Sequence, residues 1–139
     1  MDPNGMLAPI IGLALWTHVM WVWMYATRLP AMRQARMRPD PDAPRGEQMA
    51  QLPPRVRWKA DNYNHLLEHP TVFYAVAVVA ALVDPDAINR GLGWAYVGLR
   101  VVHSLVQALN NKIEVRFVVF ALSTLVLMTL TVRVALIVI

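Results

Sequence analysis

The chain has 139 residues, 57% of them hydrophobic, and a formal net charge of +4. Soluble domains of this length seldom carry such a balance, and the apolar surplus points to a membrane. Cysteine is absent, which excludes a disulfide framework, a zinc–thiolate site and a cysteine nucleophile; any thiol chemistry must bring its sulfur with a ligand.

A hydrocarbon core takes roughly 20 apolar residues per crossing helix. The first such stretch is predicted over 6–27. Trp21, Trp23 and Tyr25 suit an interfacial belt near the cytoplasmic face, while Trp16 lies deeper. His18 has no ionisable neighbour in sequence and reads as a hydrogen-bonded packing histidine. The stretch lacks a basic leader and a small-residue cleavage pattern, so it reads as a retained span. A linker over 30–54 follows, containing RPDPDAPRGEQMAQLPP, with too little apolar surface to order unaided. Arg28, Arg33, Arg36, Arg38, Arg45, Arg55, Arg57 and Lys59 make this region basic. The positive-inside rule accounts for that excess and places the linker in the cytoplasm, so no nucleic-acid partner is expected.

The second span is predicted over 61–83, with a kink at Pro70, whose missing N–H leaves the Leu66 carbonyl without a helical donor. A short acidic turn leads to a third span over 90–109, with Asn89 as its expected cap. The fourth span is predicted over 114–138, with Arg133 snorkelling to the interface. Basic first and third connections and an acidic second one put both termini on the non-cytoplasmic side. The expected fold is all-α: an integral membrane four-helix bundle forming one domain over 1–139. So thin a bundle favours pockets shared between neighbouring subunits.

Two polar stripes interrupt the apolar pattern. Helical spacing puts Asp61, Asn64, His65 and Glu68 on one face of the second span, and Arg100, His103, Ser104, Gln107 and Asn111 on one face of the third. By helix rise, Glu68 lies about 12 Å and Arg100 about 15 Å from the cytoplasmic side, so the two are expected to meet. Two readings stand. One is a buried ion pair that fixes helix register. The other is an anion- or zwitterion-binding cavity open to the cytoplasm, favoured because more polar groups are present than one pair needs. His65 and His103 are either core histidines or ligand contacts. Arg116, in the first turn of the fourth span, suits either an activated thiolate or a lipid phosphate. No HExxH motif occurs, and His65 with His69 makes only a weak ligand pair, so no metal is expected.

The stretch NYNHLLEHPTVFY, from Asn62 to Tyr74, resembles the second-helix motif of bacterial MAPEG proteins, the membrane-associated proteins in eicosanoid and glutathione metabolism. LRVVHSLVQALNNKIEVRF, from Leu99 to Phe117, resembles the family's third helix and its passage into the fourth. The resemblance covers most of 55–139. It implies a homotrimer in a bacterial inner membrane, surrounded by membrane lipids, with sites between subunits that face the cytoplasm. It also implies glutathione as cosubstrate and a lipophilic small molecule as second substrate, hence a glutathione-dependent transferase or peroxidase. Carried over by position, Arg116 matches the thiolate-stabilising arginine. Glu68, Arg100 and His103 match ligand-site residues, with Asn64, His65 and Gln107 as further glutathione contacts. Three departures stand out: His65 lies three before Glu68 where asparagine is common, Gln107 replaces a frequent tyrosine, and Phe117 follows Arg116 where prostaglandin-type members have serine. The missing tyrosine and serine favour the alternative implied by the family's non-catalytic member, a lipid-binding or scaffolding trimer.

Overall fold

The computed structural model describes residues 3–139, which are helical throughout apart from short connections. Helix α1 spans Pro3–Gln34. It outruns the apolar stretch 6–27, continuing through Pro30 into the basic segment. Its end explains where it stops. Arg36 takes a left-handed backbone (φ 49°), Met37 N–H bonds back to the Met32 carbonyl at 3.0 Å, and Arg36 N–H bonds to the Arg33 carbonyl at 3.1 Å. This is a Schellman ending with arginine in the place glycine usually fills.

The linker is ordered around one side chain. Gln48, in the short helix α2 (Glu47–Ala50), donates to the Arg38 carbonyl at 2.8 Å and accepts from Asp40 N–H at 3.1 Å. Leu52 is buried just beyond it. The chain then forms α3 (Pro54–Glu68) and α4 (Pro70–Val83), which run on from one another across His69. Proline at 70 removes one N–H from the ladder, and the helix is interrupted there.

Asp84 to Asp86 turn the chain into α5 (Ala87–Leu109). The expected cap is corrected: Asp86, not Asn89, caps α5, accepting from Asn89 N–H at 2.6 Å. Asp86 has the extended backbone that a cap requires, whereas Asn89 already lies inside the helix. The Asn89 amide donates to the Asp84 carbonyl and carboxylate, and its oxygen accepts from Arg133 Nε at 2.7 Å. Arg133, on α6 (Ile113–Val138), does not simply snorkel; it also donates to Asp86 at 2.9 Å and tethers α6 to this turn.

Three helices are long and apolar enough to cross a bilayer: Asn4–Gln34, Pro54–Val83 and Ile113–Val138. The expected third span corresponds to α5, which carries the polar stripe and is not among them. Helix α5 packs along α6 and against α1, while α1 also lies on α3 and α4. Met6, Leu13 and Met20 of α1 meet Leu66, Phe73, Ala77 and Ala80 of α3–α4, with Tyr96, Leu127 and Leu130 closing the core. Close approach of α1 and α5 needs Gly93, where a Cβ would sit 3.0 Å from the Pro9 ring.

Candidate functional site

On α5, the spacing 100, 103, 104, 107 turns every polar side chain of the stripe inward. Arg100, His103, Ser104 and Gln107 are all buried, Arg100 completely. The α3 stripe behaves differently. Asn62 and His65 face the bundle, while Asp61, Asn64 and Glu68 are exposed.

The expected Glu68–Arg100 meeting does not occur. Arg100 Nη2 donates instead to His65 Nδ1 at 2.9 Å. Among the described residues, ion pairs form only between Arg133 and Asp84 or Asp86. Rise along the helix gives depth but not direction: three residues turn the chain by about 300°, so Glu68 sits about 60° around α3 from His65. Because guanidinium only donates, His65 accepts at Nδ1 and carries its proton on Nε2.

Arg100 is therefore a fully buried cation with one partner. Its Nε and Nη1 have no hydrogen-bond partner among the described residues. The same holds for His103 Nδ1, Ser104 Oγ, Gln107 Oε1 and both amide atoms of Asn62. Leaving a buried polar group unpaired costs about 1–3 kcal/mol, and more for a charge. So much unmet hydrogen-bonding capacity along one buried face makes poor core and good recognition surface, with Arg100 as its positive charge.

Phe120 of α6 roofs this layer. Its ring centroid lies 5.5 Å from that of His65, 5.1 Å from His69, 6.4 Å from His103 and 5.8 Å from Arg100 Cζ. His65 and His103 pack at 5.0 Å. His69 shares a 3.0 Å hydrogen bond with the Tyr96 hydroxyl, and Tyr96 stacks on Phe73 at 4.5 Å.

Arg116 lies one turn before Phe120 on α6 and is half-buried. Asn111, left-handed at φ 54°, ends α5 and accepts from Arg116 Nη1 at 2.6 Å. Asparagine tolerates that backbone well. The turn between α5 and α6 thus positions Arg116 through one side chain. The MAPEG family model matches residues 6–136.

The chain belongs to the MAPEG family. No curated protein and no solved structure matches it significantly. Family membership and three candidate crossing helices make it a membrane protein.

In this MAPEG protein the sequence-derived site residues fall into three places. Arg100, His65 and His103 meet in the buried layer, and Gln107 is buried on the same face of α5 two turns away. Arg116 stands at the edge nearest the α5–α6 turn with Asn111. Asn64 lines a separate groove of about 400 Å³ together with Arg28, Arg45, Arg57 and Asp61. Glu68 faces outward, its backbone carbonyl accepting from Thr71 Oγ1 at 2.7 Å. Among the described residues, no group of three or more His, Asp or Glu side chains could hold a metal. Sequence reasoning passed over Phe120, Tyr96 and Asn62. Phe120 was findable as the residue one turn beyond Arg116, whereas Tyr96 and Asn62 declare themselves only through the packing of α3 on α5.

Proposed function

We propose that this MAPEG protein is a glutathione-dependent membrane transferase or peroxidase acting on lipophilic electrophiles. One observation carries the proposal: Arg100 is fully buried and, among the described residues, has no carboxylate partner and keeps two guanidinium nitrogens unpaired. A ligand carboxylate offers the paired acceptor geometry that guanidinium prefers. Glutathione has two carboxylates, an ammonium and a thiol. In this reading Arg100 takes a carboxylate, and His65 holds Arg100 in place. His103 and Gln107 supply further hydrogen bonds, and Glu68 and Asn64 meet the ammonium end. Arg116 stabilises the thiolate, whose parent thiol ordinarily ionises near pH 8.5. The thiolate then attacks an electrophilic carbon, and halide departs.

Several finer features belong to the same proposal. Helix α5 is the fourth crossing element, sheltered by α6 and α1, in a single four-helix domain. The outward face of Glu68 is covered by a neighbouring copy in a homotrimer. Both termini lie opposite the basic segment 28–59, which faces the cytoplasm.

The deciding experiment is a glutathione titration of the detergent-solubilised protein, with conjugation of 1-chloro-2,4-dinitrobenzene as readout. Saturable binding that weakens at least tenfold in Arg100→Ala, with turnover lost in Arg116→Ala, supports the proposal. No binding at millimolar glutathione refutes it. The second reading, a non-catalytic lipid-binding or scaffolding trimer, draws on the 2.6 Å bond from Arg116 to Asn111, which uses a donor that thiolate stabilisation would need. That reading requires lipid binding without turnover.

A further inference from the structure

A groove of about 330 Å³ runs between α4 and α6 on the outer face of the bundle. Its walls are Val72, Leu127, Met128 and Val132, with Thr124, Thr131 and His69 as the polar members. The threonines are committed: Thr124 Oγ1 donates to the Phe120 carbonyl at 2.9 Å and Thr131 Oγ1 to the Leu127 carbonyl at 2.8 Å. His69 is the titratable group in the groove, and its Nδ1 is engaged with the Tyr96 hydroxyl at 3.0 Å. When Tyr96 donates, His69 Nε2 carries a proton with no partner among the described residues. The groove is therefore an apolar channel with one available N–H, beside Phe120 and two helical turns beyond Arg116. Arg116 and Thr124 are about 12 Å apart along α6 by helix rise, a gap that an arginine arm and a thiol-bearing tripeptide together span.

We propose that His69, backed by Tyr96, is the proton donor to the alkoxide released when a thiolate attacks an alkyl hydroperoxide held in the α4–α6 groove. This rests on the thiol-dependent reading above and names its lipophilic substrate class. The thiolate sulfur attacks the distal peroxide oxygen, the O–O bond breaks, and the sulfur is oxidised to a sulfenic acid. The departing alkoxide takes the His69 Nε2 proton and leaves as an alcohol. The Tyr96 hydroxyl proton moves to Nδ1, so the imidazole stays neutral and the negative charge rests transiently on the Tyr96 oxygen, one turn along α5 from Arg100. A second glutathione reduces the sulfenic acid, giving glutathione disulfide and water. The proton released as the next thiol ionises restores Tyr96. The occupant is an alkyl chain because the walls are apolar and the outward edges at Val72, Met128 and Val132 are exposed, open to entry from the bilayer.

The test uses a contrast in leaving groups. Alkoxide needs a proton to leave, whereas chloride does not. His69→Phe and Tyr96→Phe keep the aromatic packing and remove the donor. With the full chain in detergent and glutathione as reductant, the ratio of cumene hydroperoxide reduction to 1-chloro-2,4-dinitrobenzene conjugation should fall about 100-fold in each variant, the usual size of a general-acid contribution. A ratio that stays within twofold of wild type overturns the proton step. A wild type that turns over neither substrate overturns the thiol reading and the proton step together.

The groove is tested apart from turnover. A long-chain alcohol bearing an alkyl diazirine should label Val72, Leu127 or Met128. Labelling should fall about fivefold in His69→Phe, roughly one hydrogen bond's worth. Labelling that ignores this change overturns the anchoring role. Absence of labelling in the wild type means that a second copy of the chain covers the groove, and it overturns the occupant.

Discussion

Arg100 Nη2 donates to His65 Nδ1 across 2.9 Å, and no carboxylate among the described residues comes within ion-pair distance of that guanidinium. A buried charge without its counter-ion works against folding. Replacing it with an apolar side chain of similar length should relieve that cost. Arg100→Met is expected to raise stability by about 1–4 kcal/mol, the range seen when buried ionic groups give way to apolar ones. Glutathione-dependent stabilisation should vanish in the same variant. Thermal unfolding in detergent, with and without glutathione, reads both. A large drop in midpoint would mean that Arg100 serves the fold.

Asn111 has two duties, which substitution can separate. Its left-handed backbone costs about 1–2 kcal/mol for a residue bearing a Cβ and no local hydrogen bond, and its carboxamide holds Arg116. Asn111→Ala loses both and should cost about 2 kcal/mol. Asn111→Gly loses only the tether and should recover at least half of that. Denaturation midpoints of the two variants measured side by side test the division.

At the opposite end of the bundle, Arg133 joins α6 to Asp86 and Asn89. The side chain is about one-third exposed, which weakens the pair through solvent screening. Arg133→Leu is expected to cost about 1–2 kcal/mol. Amide exchange over 84–90 should accelerate, because the Asn89 side chain loses one of its two anchors. Unchanged exchange in that turn would show the tether to be idle.

Arg36 offers a gain. Glycine at this left-handed position avoids the Cβ clash, against some loss of backbone entropy on folding. Arg36→Gly should stabilise by about 0.5–1 kcal/mol and leave glutathione affinity unchanged. Differential scanning fluorimetry checks the first claim and titration the second.

Much of this arrangement is legible in the residues, and the illegible part has a common cause. Long apolar runs mark the crossing helices at either end of the chain, because lipid imposes a length requirement that composition records directly. The inward turn of Arg100, His103, Ser104 and Gln107 also follows from spacing, since a charged face cannot be left toward acyl chains. Opposition across α3 and α5 is harder to read. It depends on the rotation of each helix about its axis, which packing sets, so His65 stands opposite Arg100 where depth alone points to Glu68. The cap of α5 was missed for a local reason. Asp86 and Asn89 are both good capping types, and only the extended backbone at Asp86 distinguishes them. The extension of α1 through Pro30 is likewise hidden, because a proline normally argues for a stop.

Phe120 touches two chemical worlds. Its ring packs against the guanidinium of Arg100 and against His69, which lines the apolar groove between α4 and α6. A single phenyl ring is the packing partner shared by a buried cation and a channel-lining imidazole, so trimming it to alanine would disturb both at once.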